Sequence, residues 1–296
     1  MKFPQISLAP IHEYTNSTFR LLCQKHNAKY TFVPLVNVTS VVKGKIALDI
    51  NESEKNVTVQ LSGSKPSEFS DAIKVIEDKY KNIIGFNINA GCPSYTTMKT
   101  GAGSALMRNE KTLSEIIKQC KKSTSLPISV KSRIFSDEKK TIEFYKEIEA
   151  AGADYLIVHG RTVKQGYSGK ADWNIIKKIK DEINIPLIGN GDIKKLEDGK
   201  EKIRLGYCDG VMIGRAALEN PLLFEGINEI SKKEKKNLIL EYYEICRNIG
   251  YNNLNNFKII SVQIIKGIRN ASSIRDKIMK CKKIEEIIEI IDNTEK

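Results

Sequence analysis

A cysteine set just beyond a short apolar run is the first place in this chain where chemistry could be done. In IIGFNINAGCPSYTTMKTGAGSALMR, residues 83–108, Ile83, Ile84, Phe86 and Ile88 are apolar or β-branched. The run breaks at Ala90-Gly91, which predicts a strand that delivers Asn89 and Cys92 to a loop. Pro93 removes a ladder donor, and Gly101-Ala102-Gly103 lets backbone come close to whatever sits above before a helix resumes. A thiol placed at such a strand end is a candidate reactive group. A small buried hydrophobe is the commoner state of a lone cysteine, and the local residues leave both readings open.

Other polar residues stand where further short runs end. Pro10 and His12 follow the run Gln5 to Ile11, and Gln60 lies in Val57 to Leu61. Lys131 and Arg133 belong to Pro127 to Arg133, His159 and Arg161 to the run from Asp154, Asn190 and Asp192 to the run from Ile185, and Gly214 and Arg215 to the run from Gly210. The sequences GNGD (189–192) and IGR (213–215) offer glycine amides, Gly191 among them, beside helix starts, a common phosphate cradle. Lys131 between Val130 and Ser132 is costly to bury without an acceptor, which an anionic or carbonyl-rich ligand would provide. Taken singly, each residue could be a solvated loop polar group, and His159 a hydrogen-bonded structural histidine.

These runs must be brought together by the elements between them. Asn16 can cap a helix with Phe19, Leu22 and Cys23 inward, and Tyr30 to Leu35 reads as a strand. Residues 36 to 56 are less regular. Ser64-Lys65-Pro66 opens a helix with Phe69, Ala72, Ile73, Ile76 and Tyr80 on one face. Further helices are expected near 111–122, 137–151, 172–183 and 194–205. Strands alternating with helices across residues 1–226 predict a (β/α)8 TIM barrel, because parallel strands need helical crossovers. A doubly wound open sheet is the alternative, weakened by the lack of G-x-G-x-x-G after the first strand. Residues 227–296 read as a small helical domain, with helices near 232–248, 256–267, 272–279 and 283–291.

Composition sets outer bounds. The 296 residues are 41% hydrophobic, enough for a full core, and contain no apolar run long enough to span a membrane. MKFPQISLAP carries no signal-peptide apolar block, so a soluble, cytoplasmic protein is expected, as a monomer and without a membrane partner. Six cysteines without a C-x-x-C pair and three histidines argue against a zinc site or a disulfide framework, and no metal is expected. The net charge of +12 suits a polyanionic partner as well as it suits a lysine-rich solvated surface. In the tail the charge is segregated: between Lys258 and Lys283 lie eight basic residues, including Lys266, Arg269 and Lys277, against the single acid Asp276.

Together these segments resemble the tRNA-dihydrouridine synthase family, flavoenzymes that reduce specific uridines of tRNA. The likeness rests on LAPI (8–11), VQLSGS (59–64), NINAGCP (87–93) with KTGAGSALMRN (99–109), VKSR (130–133), VHGRTVKQGYSGKADW (158–173), IGNGDI (188–193) and DGVMIGRAALENPLLF (209–224). It covers the barrel, and FKIISVQIIKGIRNASSIRDKI (257–278) is similar to the family's helical C-terminal part. The resemblance implies FMN held by Pro10, Gln60, Lys131, His159, Asn190, Asp192, Gly214 and Arg215, with NAD(P)H as electron donor; Ile11, His12 and Gly191, beside these in the sequence, are expected at the cofactor as well. The resemblance also implies Cys92 as the proton donor and places Asn89 and Arg133 near the uracil and its backbone; Arg161 is a further expected contact to the tRNA, and the segregated charge of the tail adds Lys266, Arg269 and Lys277. Two departures stand out: API-His-Glu-Tyr-Thr-Asn (9–16) replaces the usual first loop, and Asn87 stands where aspartate is usual. Two other classes share parts of the pattern: an FMN barrel reductase of a free pyrimidine or small enone, which needs no basic tail, and a non-catalytic RNA-binding barrel, which needs no Cys92.

Overall fold

A computed structural model describes residues 3–293. Eight parallel strands form one sheet: β1 Ile6–Leu8, β2 Thr31–Asn37, β3 Val57–Ser62, β4 Ile83–Ala90, β5 Ile128–Ile134, β6 Tyr155–Thr162, β7 Leu187–Asn190 and β8 Gly210–Ile213. Their order, β1-β8-β7-β6-β5-β4-β3-β2, curls until Ser7 bridges Tyr30 and the Leu8 amide donates to the Tyr30 carbonyl at 3.0 Å. The sheet thereby closes into a TIM barrel, as expected, and not into an open doubly wound sheet.

The period of two along each strand decides which residues enter the barrel. Leu156 and Val158 of β6 pack outward on the helices, while Tyr155 and Ile157 join Phe32, Ile188 and Met212 inside. Parity then turns His159 inward too. On β5, Val130 packs outward, and Ser132 turns out to bond the Tyr145 hydroxyl at 2.9 Å, which leaves Ser129, Lys131 and Arg133 on the inner face. On β4, Phe86, Ile88 and Ala90 pack outward, with Asn87 and Asn89 inside. The barrel is thus apolar at its base and polar towards the C-terminal strand ends.

Differences from expectation are local. β1 stops at Leu8 because the chain turns immediately: Ile11 N–H donates to Thr15 Oγ1 at 2.9 Å, and the Ile11 carbonyl accepts from the amides of Tyr14 and Thr15. The irregular stretch contains a short helix, Val38–Val42, whose cap Asn37 accepts from the Ser40 amide. The tail helices are Lys232–Asn248, Leu254–Ile264, Ala271–Lys280 and Ile284–Asp292. Leu238, Tyr242, Phe257 and Ile260 share one apolar cluster with Leu8, Phe19, Leu22 and Ile213, so the tail is cored against the N-terminal helix and the β8 end. Among the described residues no helix is long and apolar enough to cross a membrane.

Candidate active site

The strand ends open into one cavity of about 660 Å3. Pro10, Ile11 and His12 come from β1, Gln60 from β3, Asn89 and Cys92 from β4, and Lys131 and Arg133 from β5. His159 comes from β6, Asn190, Gly191 and Asp192 from β7, and Gly214 and Arg215 from β8, while Lys266 reaches in from the tail. A second cleft of about 690 Å3 on the tail holds Arg269 and Lys277 with Glu286 and Glu289. Size does not separate the two; the convergence of polar strand-end residues does.

The thiol is carried by a buried amide ladder. Asn89 Oδ1 accepts from the amides of Gly91 (3.1 Å) and Cys92 (3.0 Å), and its Nδ2 donates to Gln60 Oε1 at 2.9 Å. Gln60 Nε2 donates to Asn87 Oδ1 at 2.8 Å, and Asn87 Nδ2 to Ser129 Oγ at 2.9 Å. Asn87 therefore both accepts and donates; an aspartate there would need the Ser129 hydroxyl to turn and donate to it, giving up its bond to the Phe86 carbonyl. Asn89, expected at the substrate, spends most of its carboxamide holding the Cys92 turn.

From the other side the Ser104 amide donates to the Cys92 carbonyl at 3.0 Å, and Cys92 Sγ lies 3.8 Å from Thr97 Oγ1. Gly103 makes this fold-back possible. Its φ is +59°, and a Cβ there would sit 2.8 Å from both the Cys92 carbonyl and Thr97 Cγ2. Gly103→Ala is expected to lower Tm by several degrees and to slow turnover more than it lowers cofactor content, because the strain falls on the Cys92 turn. Thermal melts with single-turnover rates check this, and unchanged values for both would show that the turn does not need glycine.

Cys92 differs from the other five cysteines in being part-exposed, whereas Cys23, Cys120, Cys208, Cys246 and Cys281 are buried. Burial pushes the thiols of Cys120 up to about 12 and of Cys208 and Cys246 up to about 11. Those three stay protonated as small core groups, and among the described cysteines Cys92 alone lines the cavity at the strand ends.

Facing it is a cationic wall. Lys131 Nζ donates to Asn190 Oδ1 at 3.1 Å, and Asn190 Nδ2 to the Met212 carbonyl at 2.8 Å. Burial, with a smaller push from Arg133, drags the Lys131 ammonium down to about 7. His159 is pushed down to about 2 by burial and by Lys131, Arg133, Arg161 and Arg215, so it is a neutral imidazole. Arg161 Nη1 lies 3.3 Å from His159 Nε2, which assigns the ring hydrogen to Nδ1. Asp192 has φ +56°; burial raises its carboxyl, but the Ala171 amide and the Arg161 and Arg215 guanidinium groups outweigh that and keep it low.

Arg161 is not brought to the cavity. Only 2% exposed, it donates from Nη2 to both Asp192 oxygens at 2.7 Å and to the Gly169 carbonyl at 2.7 Å, and so braces the wall from behind. Arg133 lines the cavity but also ties two loops, with Nε on the Gly91 carbonyl (3.0 Å) and Nη1 on those of Thr162 (3.1 Å) and Gly166 (2.8 Å). Tyr167, missed by residue-level reading although it lies in the quoted VHGRTVKQGYSGKADW stretch, stands on the rim with the Arg215 guanidinium 4.7 Å above its ring. Glu219, also missed, pairs there with Lys266.

An anion fits these residues. Lys131, Arg133 and Arg215 converge on a cavity where Asp192 is already committed to arginines, and burial disfavours the charged form of Lys131 until an anion offsets it.

Sequence comparison assigns the family. A sequence model of the family described as Dihydrouridine synthase (Dus) matches residues 7–295. The chain is 31% identical over 301 residues to a probable tRNA-dihydrouridine synthase of Aquifex aeolicus (strain VF5), covering 97% of this chain and 95% of the relative. It is 30% identical over 249 residues to the human tRNA-dihydrouridine(20a/20b) synthase [NAD(P)+]-like, covering 82% and 76%. Among solved structures it superposes on a variant of NCR from Zymomonas mobilis (TM-score 0.54, 12% identity, 78% of this chain and 91% of that one). It also superposes on morphinone reductase in complex with tetrahydroNAD (TM-score 0.52, 12% identity, 75% and 85%). These two likenesses concern the fold.

Proposed function

We infer the work of the barrel mouth from one premise: the chain belongs to the dihydrouridine synthase family, and it is an oxidoreductase that reduces uridine in tRNA. The reading proposed is FMN held at the cationic wall, NAD(P)H as the electron source, and Cys92 as the proton donor. The observation that carries it is a part-exposed thiol and an under-neutralised lysine facing one cavity from β4 and β5.

Lys131, Asn190, Gln60 and the Asn190-Gly191-Asp192 and Gly214-Arg215 turns would hold the cofactor, with Pro10, Ile11 and His12 on the β1 side. The chemistry it supplies when bound is hydride donation to uracil C6, the far end of a double bond conjugated to the C4 carbonyl. Neutral His159 can donate a hydrogen bond from Nδ1 without adding charge to the wall. Cys92 then delivers its Sγ proton to C5, and the Asn89 ladder fixes where that proton is offered. Arg133 keeps its Nη2 group for the uracil or its backbone while its other donors close the two loops. The target base is stacked in folded tRNA and must be extruded to reach this depth. The direct test is nucleoside mass mapping: the purified protein with FMN and NADPH should form dihydrouridine in unmodified tRNA, and a protein that neither takes up FMN nor forms it would sink the reading.

The tail is proposed as the RNA-holding part, residues 227–296. Its expected contacts are split, however, with Lys266 at the cavity rim against Glu219 and Arg269 and Lys277 in the second cleft. Arg269→Glu/Lys277→Glu should weaken tRNA binding about tenfold or more and flatten the salt dependence by roughly one to two phosphate contacts. Affinities measured across a salt series check it; equal affinity and equal slope would leave the barrel mouth as the RNA contact.

A further inference from the structure

The short helix Tyr95–Lys99, immediately after the Cys92 turn, buries none of its residues. Thr97 turns inward to the thiol, its Oγ1 3.8 Å from Cys92 Sγ. Positions two residues to either side therefore turn outward, and Tyr95 and Lys99, four apart, share one exposed face. Tyr95 is 77% exposed, and Tyr167 follows at 58%; among the described residues these two are the aromatic members of the exposed large apolar set. Both ride on loops at the C-terminal mouth of the barrel, one after β4 and one after β6. Each has a cation on its own side, Lys99 one turn along the helix and Arg215 over the Tyr167 ring.

An exposed tyrosine adds nothing to a fold that leaves its helix unburied, so packing does not account for Tyr95. An aromatic face beside a cation is what a single-stranded nucleic acid meets well, with a base on the ring and its phosphate on the charge. A paired duplex offers no free base face at the rim. We propose that Tyr95 and Lys99 form a stacking surface for an unpaired nucleotide flanking the target uridine, on the rim opposite Tyr167 and Arg215. The inference rests on the uridine-reducing function above and deepens it. It makes the rim a selector for uridines in unpaired loops, because the thiol and the stacked base are held by the same turn.

Unmodified tRNA and an RNA duplex of matched length serve as probes, with flavin content as the check on folding. Tyr95→Ala should weaken tRNA binding about tenfold, the scale of one lost base–aromatic stack, and leave duplex binding as it is. Tyr95→Trp should restore affinity, and its emission should be quenched by tRNA and not by duplex. The background is favourable, since the chain has one tryptophan, Trp173, whose Nε1 is bonded to the Gly191 carbonyl at 3.1 Å. Wild-type affinity in Tyr95→Ala, or an emission in Tyr95→Trp that tRNA does not change, overturns the stacking surface. The two readings fail separately: a wild-type enzyme that forms no dihydrouridine sinks the function, whereas normal product with no quenching sinks only the surface.

Discussion

Cys92→Ala is expected to lower dihydrouridine formation by about 10²-fold or more while the protein folds and takes up FMN as before, the usual scale for a lost general acid. The structure makes the substitution a fair test. Cys92 is part-exposed, its sulfur makes a long 3.8 Å contact to Thr97, and its turn is held by backbone bonds to Asn89 and Ser104 that alanine keeps. NADPH-driven flavin reduction should therefore persist, so the loss falls on the uridine half-reaction. Single-turnover reduction of tRNA by pre-reduced enzyme separates the halves. Cys92→Ser, a much weaker acid in the same place, should lie close to the alanine variant. Full turnover by either would mean that C5 takes its proton from elsewhere, and that the thiol only fills space.

The strands were legible because parallel strands buried on both faces read as near-continuous apolar runs, and the convergence of C-terminal strand ends in a barrel then placed Lys131, His159, Asn89 and Gln60 in one mouth. The division of labour among the polar residues was not legible. Arg161 has the inward parity of His159, yet it is spent on Asp192 and two loop carbonyls, and only the path of residues 163–169 decides that. Asn89, expected at the substrate, does line the cavity, but that its Oδ1 also carries the Gly91 and Cys92 amides could not be read from its position. Lys266, Arg269 and Lys277 formed one basic stretch in the sequence, but Gly267 (φ +86°) and Asn270 (φ +61°) turn the chain between them and send them to two different clefts. Charge order along a chain says little about a surface when the turn is not known.

Lys131→Met should cost about 10²-fold in FMN affinity, as expected when a buried charged partner is removed, and the pH dependence identifies the cause. In the flavin-free protein burial holds the Lys131 ammonium near 7, below its unfolded value of 10.5. Between those values the unfolded chain binds more protons than the folded one, so this group makes stability rise with pH through that window, and its full cost is present below about 7. Lys131→Met should accordingly raise the Tm of the flavin-free protein, and the gain over wild type should shrink as pH rises from about 7 towards 10. Cofactor binding runs the other way. An anionic ligand favours charged Lys131, so above pH 7 wild type must take up a proton as FMN binds, and its affinity should fall by up to about tenfold per pH unit until the bound-state value is passed. The methionine variant should lack both the uptake and the slope. Calorimetric titration at pH 8 in two buffers of different ionisation heat reads the proton directly. If wild type takes up no proton on binding FMN, or if the Tm gain of Lys131→Met does not depend on pH, the lysine does not face the cofactor as a charge, and the phosphate and ring carbonyls must be held by Arg215 and the Gly191 and Gly214 turns instead.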